Sequence, residues 1–470
     1  MIERHPQSLS QADRVMILGA GPCGLGSASE LQDAGLDSWT LYDSAHKAGG
    51  LASTLTSKEG FLFDIGGHVI FSHYKKFDEM CDRVCDEWID HERNAWIFMK
   101  NRFIPYPLQR NFGHLPPDDV EMCLEGLKKI LATSFPKPRN FEEWLRQSFG
   151  QGLYNIFMEP YNFKVWAFPP RELNSVWVGE RVAHIDPQMI DKIAKGETTK
   201  EWGPNANFRY PKYGGTGSIW LGLASELSND KLNFNARITD VNAESRTVTL
   251  SDGSSGNYDF LISTIPLDQL IQMVHNTGFP NLDKLSKLFK HSSTHIIGIG
   301  MNGQCPKQLE GKSWIYFPEE NVPFYRATVL SNYSPFTVPE PGKQWSLLLE
   351  TSESSKKPVN SKHILGQAIA ACKELSFIPK DTEIVSRLHK RFEYAYPTPF
   401  LERDGVSRFA FDVLEKNNIF SRGRFGAWKY EVSNQDHTYM QGVEVARRLL
   451  FDEEEVTFLH PEVVNRQSGR

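Results

Sequence analysis

Cysteine is scarce in this sequence, and its six residues lie far apart along the 470-residue chain: Cys23, Cys81, Cys85, Cys123, Cys305 and Cys372. There is no Cys-x-x-Cys pair, and no grouping of Cys with His has the spacing of a zinc site. Cys81 and Cys85 share one face of a predicted helix, which is typical of structural packing. This pattern excludes a disulfide-rich scaffold and favours a reducing compartment.

The sequence also lacks long apolar runs and an excess of positive charge. No run approaches the roughly 18 apolar residues of a membrane-spanning helix. The net charge is −6, so no general basic field attracts nucleic acid or an anionic membrane surface. The N-terminal segment MIERHPQSLSQADR has no apolar core typical of a secretory signal, so we expect a cytoplasmic protein. An anionic ligand would have to be held by a local cluster of cations.

Glycine is concentrated near the start of the chain, where Gly19, Gly21 and Gly24 form the pattern G-x-G-x-x-G. The pattern follows the apolar run RVMILG, typical of a buried parallel strand, and opens a helical pattern. Gly19 is expected in a tight turn, Gly21 where backbone approaches a pyrophosphate, and Gly24 where helix packs on strand. The helix N-terminus would bind the phosphates, and Asp43, at the end of the next predicted strand, would accept from ribose hydroxyls. The segment therefore predicts a dinucleotide site.

Two further diglycines follow that second predicted strand, in KAGGL (47–51) and FDIGGH (63–68). They would place bare backbone against a second stretch of bound cofactor, which a long flavin dinucleotide provides and NAD does not. Ile238, in the predicted strand ARITDV, would give a backbone contact to adenine. We therefore expect FAD.

The rest of the chain divides by its periodicity. Residues 116–134 and 139–158 have a helical pattern, and little between 110 and 200 resembles a strand. Further predicted elements are strands within 205–265 and 292–350, an extended segment at 383–394, and helices at 360–375 and 439–451. The sequence thus predicts an α/β nucleotide-binding core that is interrupted by a helical part and a sheet part.

Longer motifs resemble the eukaryotic-type UDP-galactopyranose mutases over nearly the whole chain. These motifs are GGHVIFSHY (66–74), PYPLQ (105–109), PYNFKVWAFP (160–169), WVGERVA (177–183), FRYPKYGGTGSIW (208–220), FPEENVPFYRATVLSNYSP (317–335), YPTP (396–399) and SRGRFGAWKYEVSNQDHTYMQGVE (421–444). The resemblance implies an α/β fold in three parts. They are a discontinuous Rossmann-type FAD-binding domain (1–90, 206–265 and 405–470), an inserted helical bundle (110–205) and an antiparallel β-sheet substrate domain (91–109 and 266–404).

The resemblance also implies an activity, a non-redox isomerisation of UDP-galactopyranose and UDP-galactofuranose. In that reaction N5 of reduced FAD attacks the anomeric carbon with UDP as the leaving group, and UDP returns after the sugar ring has reclosed. Reduced FAD is then the active cofactor and NADPH the expected reductant. The implied partner is a UDP-sugar, with neither nucleic acid nor membrane, and the oligomeric state is left open.

The resemblance assigns the site residues. Those matched to the cofactor site are Gly19, Gly21, Cys23, Gly24, Asp43, Ser44, Gly50, Leu51, Gly66, Gly67, His68, Ile238, Asn434, Gln435 and Thr438. Those matched to the substrate site are Tyr106, Gln109, Asn162, Trp166, Arg181, Trp314, Tyr316, Arg326, Tyr396, Arg424, Tyr430 and Asn434. His68, Arg326 and Arg424 are the expected catalytic residues, and no metal site is expected.

Each role has a chemical reason. Arg326 and Arg424 would clamp the diphosphate, because the planar guanidinium binds phosphate oxygens in pairs. The hydroxyls of Tyr316, Tyr396 and Tyr430 would bind the same group. His68 would tune the reactive flavin nitrogen by hydrogen bonding.

The base and sugar contacts complete these expectations. Tyr106 and Gln109 would stack and read the uracil, Asn162, Trp166 and Arg181 would line the uridine and sugar side, and Trp314 would lie near the hexose. The helix that follows Asn434 would direct its N-terminus at the flavin or pyrophosphate. Leu108 departs from the pattern, because fungal relatives are expected to have an aromatic residue there.

Other functions remain open at this point. The same chemistry could act on a related nucleotide sugar. A flavin amine oxidase or desaturase shares the N-terminal motif, but it predicts an apolar pocket with few cations. A carrier similar to the GDP-dissociation inhibitors could use the same fold without a flavin.

Overall fold

A computed structural model describes residues 9–197 and 206–466, so residues 1–8, 198–205 and 467–470 of the expected domains lie outside the described residues. The strands are β1 (Val15–Leu18), β2 (Trp39–Tyr42), β3 (Thr54–Thr56), β4 (Leu62–Asp64), β5 (Trp88–Glu92), β6 (Ala95–Met99), β7 (Arg102–Pro105), β8 (Asn207–Pro211), β9 (Leu232–Asn233), β10 (Ile238–Asn242), β11 (Thr247–Leu250), β12 (Ser255–Asn257), β13 (Phe260–Ser263), β14 (Val274–His275), β15 (His291–Asn302), β16 (Trp314–Tyr316), β17 (Arg326–Thr328), β18 (Gln344–Glu353), β19 (Ile384–Pro397) and β20 (Ile419–Ser421).

The α-helices are α1 (Pro22–Asp33), α2 (Lys75–Val84), α3 (Pro117–Leu131), α4 (Phe141–Leu153), α5 (Glu159–Trp166), α6 (Ile190–Ala194), α7 (Gly217–Ser225), α8 (Leu267–Met273), α9 (Ile364–Glu374), α10 (Arg403–Glu415), α11 (Gln435–Phe451), α12 (Val456–Leu459) and α13 (Pro461–Val464).

Strands from the N-terminal, central and C-terminal parts of the chain form a parallel sheet of five strands, in the order β20-β13-β1-β2-β9. All four residues of β1 are buried, as an apolar strand with both faces covered requires. The residues before and after the glycine motif thus form the predicted strand and helix. Buried residues of α1 and α11 belong to the same apolar cluster on one face of this sheet.

A second sheet, β12-β11-β10-β14, contains three strands of the stretch 205–265 in which strands are expected, together with β14 beyond it. Leu267, Leu270 and Val274 pack in one cluster with Met16 and Leu18 of β1. Residues after the expected boundary at 266 therefore pack with the nucleotide-binding part. The division into three domains stays a proposal, and this packing favours a later boundary.

The largest sheet has seven strands in the order β19-β15-β18-β17-β16-β6-β7, and only β16 and β6 pair in parallel. It contains the strands expected in 292–350, and β19 extends the segment expected at 383–394 to Pro397. One face packs α9, which corresponds to the helix expected at 360–375.

The helical part holds α3 to α6, and no strand occurs among the described residues between 110 and 197. Asp118 and Asp119 lie in the first turn of α3, where carboxylates complement the helix dipole. The Asn140 side chain caps α4 by accepting from the Glu143 N–H at 2.9 Å. Helix α4 continues through a π-helical turn, 154–158, into α5. Together with the sheets, these helices confirm the predicted α/β fold class.

The C-terminal segment continues past the helix predicted at 439–451. That helix, α11, begins four residues earlier, and two short helices follow it. The Thr457 amide and hydroxyl donate to the Glu444 carboxylate at 2.8 and 2.7 Å, and the Tyr74 hydroxyl lies 2.8 Å from the Thr457 hydroxyl. Burial raises the pKa of Glu444 to about 7, although the Thr457 donors oppose the shift. None of the helices in the described parts of the chain is long and apolar enough to cross a membrane.

The buried Glu444 carboxylate predicts a stability that depends on pH. Because the pKa of Glu444 is higher in the folded state, the native protein binds more protons above about pH 4.5 and loses stability as the pH rises toward 7. Glu444→Gln removes this titration. The free energy of unfolding of the variant, relative to the parent, should therefore rise by up to about 3 kcal/mol from pH 4.5 to pH 8.

Denaturant unfolding at several pH values measures this difference. The exposed Glu454 of the same segment offers the control, because its replacement by Gln should give a much smaller pH slope. A flat difference for Glu444→Gln across that range would contradict the assignment.

Candidate active site

A cavity of about 1810 Å³ lies where the parallel sheet, the seven-stranded sheet and the helical part meet. All of the predicted site residues except Gly24 line it. The fold therefore brings together residues from positions 19 to 438, and the cavity is the candidate active site.

Each position of the glycine motif requires glycine for a different steric reason. Gly19 has a φ of +105°, and a Cβ atom there would lie 2.1 Å from the Thr264 hydroxyl oxygen. A Cβ at Gly24 would lie 1.8 Å from the Gly19 carbonyl oxygen, so Gly24 packs the helix on the loop and stays outside the cavity. At Gly21 the nearest atom to such a Cβ is the Gly50 Cα at 4.0 Å. The space above Gly21 is therefore open to a ligand.

The N-terminus of α1 faces this space with its amides available. Gly21 is the N-cap residue and no side chain caps the helix, so its first amides are free to bind an anion. The Asp43 carboxylate accepts from the amides of Ala20 at 2.6 Å and Ala45 at 2.7 Å. Asp43 thus holds the glycine loop in shape in addition to lining the cavity where a ribose would bind.

A second helix N-terminus, that of α11, also meets the cavity. Its N-cap residue is Asn434, again without a side-chain cap. The Gln435 side-chain oxygen accepts from the Trp220 indole N–H at 2.7 Å, which fixes the side chain at the start of the helix. Two uncapped helix N-termini at one cavity suit a ligand with phosphates and an electron-rich ring.

His68 lies deep in the cavity, where its amide donates to the Gly66 carbonyl at 2.9 Å. Its Nδ1 atom is buried and has no hydrogen-bond partner among the described residues. Burial lowers the pKa of His68 to about 4, against the opposing effect of the Glu350 carboxylate. The imidazole is therefore neutral at pH 7. An unsatisfied ring nitrogen beside two glycine loops fits the polar edge of a flavin.

Arg424 is the central cation of the cavity. Its guanidinium donates to the Ala395 carbonyl (3.1 and 2.8 Å) and to the carbonyl and hydroxyl of Ser433 (3.0 and 2.9 Å). No carboxylate pairs with it among the described residues. Burial lowers the pKa of Arg424, the direction expected for a cation that has lost water without gaining a carboxylate. It stays protonated and is available to an anion.

Arg181 and Arg326 complete the cationic part. Arg181 donates to the Glu431 carbonyl at 2.6 Å, and its buried Nε has no partner in the described chain. Arg326 instead forms a two-point ion pair with Glu350, at 2.6 and 2.9 Å. Of these three guanidiniums, only that of Arg326 forms an ion pair with a carboxylate among the described residues.

Aromatic side chains form the wall around these cations. The Trp166 ring contacts Tyr396 and Tyr430 at centroid distances of 5.7 and 4.7 Å, so it supports the cavity wall as well as lining it. Tyr106 and Tyr316 lie 5.0 Å apart, and Trp314 contacts Tyr316 at 6.4 Å. Burial raises the pKa values of Tyr316 and Tyr396, so their hydroxyls stay protonated and able to donate.

Sequence reasoning missed several cavity aromatics, among them Phe157 and Tyr161. Their rings stack at 5.1 Å, and Tyr161 also contacts Tyr316 at 5.3 Å. Tyr161 occurs in the quoted motif PYNFKVWAFP, so the resemblance could have identified it. Phe157 lies in the π-helical turn, and no periodicity indicated that it would face a ligand.

Leu108, which departs from the family pattern, lies away from the cavity. Its side chain is fully buried in the apolar core of the helical part and does not line the cavity. The neighbouring Gln109 does line it, while its amide donates to the Ala183 carbonyl at 3.0 Å. Asn162 donates to the Met158 carbonyl at 2.7 Å. In both side chains the amide oxygen and the second N–H are left for a ligand.

His73, Asp436 and His437 form a buried cluster beside the N-terminus of α11. The Asp436 carboxylate lies 2.7 Å from Nδ1 of His73 and accepts from the His73 amide at 3.1 Å. Asp436 thereby ties the loop that follows His68 to α11. The spacing in sequence gave no sign of this cluster, because 363 residues separate the two partners.

Comparisons with known proteins agree with this arrangement. The model of the family "Flavin containing amine oxidoreductase" matches residues 22–338. The structure of a reduced UDP-galactopyranose mutase has 43% sequence identity and a TM-score of 0.94, and the match covers 97% of both chains. The chain belongs to the UDP-galactopyranose mutase family. The predicted resemblance is thereby confirmed, while the roles of individual residues stay predictions.

Other relatives share less with this family member. A fatty acid isomerase from P. acnes has 15% identity and a TM-score of 0.62 over 94% of this chain and 99% of its own, which shows a common fold. An L-amino-acid oxidase of Bothrops moojeni is 32% identical over 145 residues, or 26% of this chain and 28% of the oxidase. The chain thus matches little more than a quarter of that relative's length.

Proposed function

We propose that this protein is an FAD-dependent isomerase that interconverts UDP-galactopyranose and UDP-galactofuranose. Membership of the mutase family supports the reaction. The observation that carries the proposal is the cationic part of the cavity, in which Arg424 and Arg181 have no carboxylate partner among the described residues. Cations without a paired carboxylate suit a sugar diphosphate, because the diphosphate has to stay in the cavity between leaving the sugar and returning to it.

The cofactor contacts are proposed from the two loops and two helix N-termini. The amides at the start of α1 would bind the pyrophosphate, Asp43 the ribose, and the α11 N-terminus the flavin ring. When bound in its reduced form, FAD supplies the nucleophile for the anomeric carbon. The chain supplies orientation and charge.

The substrate contacts follow from charge and shape. Arg424, Arg181 and Arg326 would bind the diphosphate and stabilise the charge that develops on it as the sugar–oxygen bond breaks. The hydroxyls of Tyr396 and Tyr430 would donate to the same oxygens. Tyr106, with Tyr161 of the same aromatic wall, would face the uracil.

His68 is proposed to act as a neutral hydrogen-bonding group. Since its pKa is lowered to about 4, it carries no positive charge at neutral pH and competes with no arginine for the diphosphate. Its Nδ1 would hydrogen-bond to the cofactor or to a sugar hydroxyl. Turnover should therefore show no ionisation of this imidazole between pH 6 and pH 8.

An oxidase acting on amines is the second candidate, since the matching family model describes amine oxidoreductases. An amine oxidase would favour an apolar pocket, whereas three guanidiniums, those of Arg181, Arg326 and Arg424, line this cavity. A carrier without cofactor is disfavoured by the open space above Gly21 and by the unsatisfied His68 nitrogen, both of which need a ligand.

The test is incubation of dithionite-reduced protein with UDP-galactose, followed by chromatography. Conversion to a second UDP-hexose under reducing conditions only is the expected result. Oxygen consumption with an amine, together with no sugar isomer, would support the oxidase instead. Deoxy and pentose analogues of UDP-galactose in the same assay define which sugar nucleotide is preferred.

We further propose NADPH as the reductant and the cytoplasm as the location. A second G-x-G-x-x-G pattern runs from Gly298 in strand β15 to Gly303, the residue after that strand, and opens no helix; its first two glycines face Phe63 and Phe61. NADPH would therefore have to share the substrate cavity. Competition between UDP and NADPH during flavin reduction tests this, and reduction unaffected by UDP would contradict it.

A further inference from the structure

Among the described residues, Glu350 is the carboxylate that pairs with an arginine proposed to bind the diphosphate, and sequence reasoning did not identify it. It lies opposite Arg326 across strands β17 and β18 and is 3% exposed. Its Oε1 accepts from Arg326 Nε at 2.6 Å and its Oε2 from Arg326 Nη2 at 2.9 Å. This two-point pair fixes the plane of the guanidinium.

Two further donors saturate the Glu350 carboxylate. Oε1 accepts from the Gly67 amide at 3.0 Å, and Oε2 accepts from the Tyr325 hydroxyl at 2.8 Å. Gly67 precedes His68, so one buried carboxylate connects the cofactor-side loop to the arginine on the substrate side. A Cβ atom at Gly67 would lie 3.3 Å from the Arg326 Cζ, which indicates how closely these two elements meet.

The charge on Glu350 is secured by its surroundings. Burial alone would raise the pKa of Glu350, but Arg326 and the two further donors outweigh it and hold the pKa below its ordinary value. The carboxylate therefore stays ionised and cancels the charge of Arg326 in the absence of substrate.

We infer that Glu350 is a positioning residue, which holds one edge of the Arg326 guanidinium so that the remaining N–H groups face the sugar diphosphate. The inference rests on the proposed function and goes beyond it, because it assigns a role to a residue that acts through Arg326. It also makes a specific claim about charge. Removing Arg326 alone should leave a buried, unpaired carboxylate that repels the diphosphate.

The test is a double-mutant cycle read by calorimetric titration of the flavin-loaded protein with UDP. Glu350→Gln alone should weaken UDP binding about fivefold, because Arg326 loses its orientation. Arg326→Ala should weaken it further. Adding Glu350→Gln to Arg326→Ala should strengthen UDP binding at least about threefold, because the unpaired charge is gone.

The sign of the second effect separates positioning from plain structural support. A merely structural glutamate would cost affinity in both backgrounds, and equal costs would overturn the inference while leaving the proposed function intact. A parent protein that binds no UDP would overturn both. In turnover assays, Glu350→Gln should lower kcat more than it changes KM.

Two further variants keep the test decisive if Glu350→Gln folds poorly. Tyr325→Phe removes one of the four hydrogen bonds and should weaken UDP in the parent but not in the Arg326→Ala background. Asp259→Asn is the matched control, because Asp259 also holds an arginine (Arg14) at two points and accepts a backbone amide. That pair lies outside the cavity, so the control should leave UDP affinity unchanged.

Discussion

Replacing Arg424 with alanine is expected to lower turnover by about 100- to 1000-fold while the protein keeps its flavin. Arg424 has no carboxylate partner in the described structure, so its charge is free for the departing diphosphate. Its hydrogen bonds go to Ala395 and Ser433 and none go to the glycine loop. Steady-state assays with the reduced protein, and the flavin absorbance of the purified variant, measure the two halves of this prediction.

The controls for Arg424 separate charge from geometry. Arg424→Lys keeps the charge but loses the paired hydrogen bonds to the Ala395 carbonyl, so its turnover should fall between parent and alanine variant. Arg83→Ala breaks a surface pair with Glu226 and should have no effect. If Arg424→Ala lost its flavin, the side chain would serve the cofactor and the proposed role would be contradicted.

Gly21→Val is expected to give a folded protein that binds flavin roughly 10- to 100-fold more weakly. The backbone at Gly21 is extended (φ −80°, ψ −177°), a conformation that valine adopts readily. The first added carbon meets no protein atom closer than 4.0 Å, so the side chain would fill the space proposed for the pyrophosphate. Flavin titration of the apoprotein and its circular dichroism spectrum measure this separation of binding from folding.

Two other glycines bracket the Gly21 result. Gly24→Ala would force a Cβ to 1.8 Å from the Gly19 carbonyl oxygen, so it should lower stability as well as flavin binding. Gly366→Ala on α9 has open space, so it should leave flavin binding unchanged and should not lower stability. Unchanged flavin affinity in Gly21→Val would place the cofactor elsewhere.

Much of the fold could be predicted because its signals are local. The buried strand β1, the glycine turn and α1 occur within twenty residues, and their periodicity needs no distant partner. The boundary at 266 was less secure, because α8 packs back onto the parallel sheet through contacts that no local pattern contains. The beginning of α11 at Gln435 was missed for a different reason: its first turn is polar, so no apolar periodicity marks it.

The site divides in the same way. Residues in long motifs, such as Arg424 and His68, could be assigned because the resemblance carried them, and the cavity contains them. Glu350 could not, because its importance comes from a strand pairing with Arg326 that is invisible before the sheet is built. Leu108 is next to Gln109 in sequence, yet its side chain packs in the apolar core and does not line the cavity.

The central claim is that the cavity holds a sugar diphosphate while the bond from the anomeric carbon to the phosphate oxygen breaks and re-forms. Positional isotope exchange tests it most directly, with UDP-galactose labelled by heavy oxygen in that bridging position. Reduced protein should move the label into non-bridging positions of the recovered UDP-galactose, and oxidised protein should not. A label that stays in the bridge, while the reduced protein is loaded with flavin and binds UDP-galactose, would contradict the account.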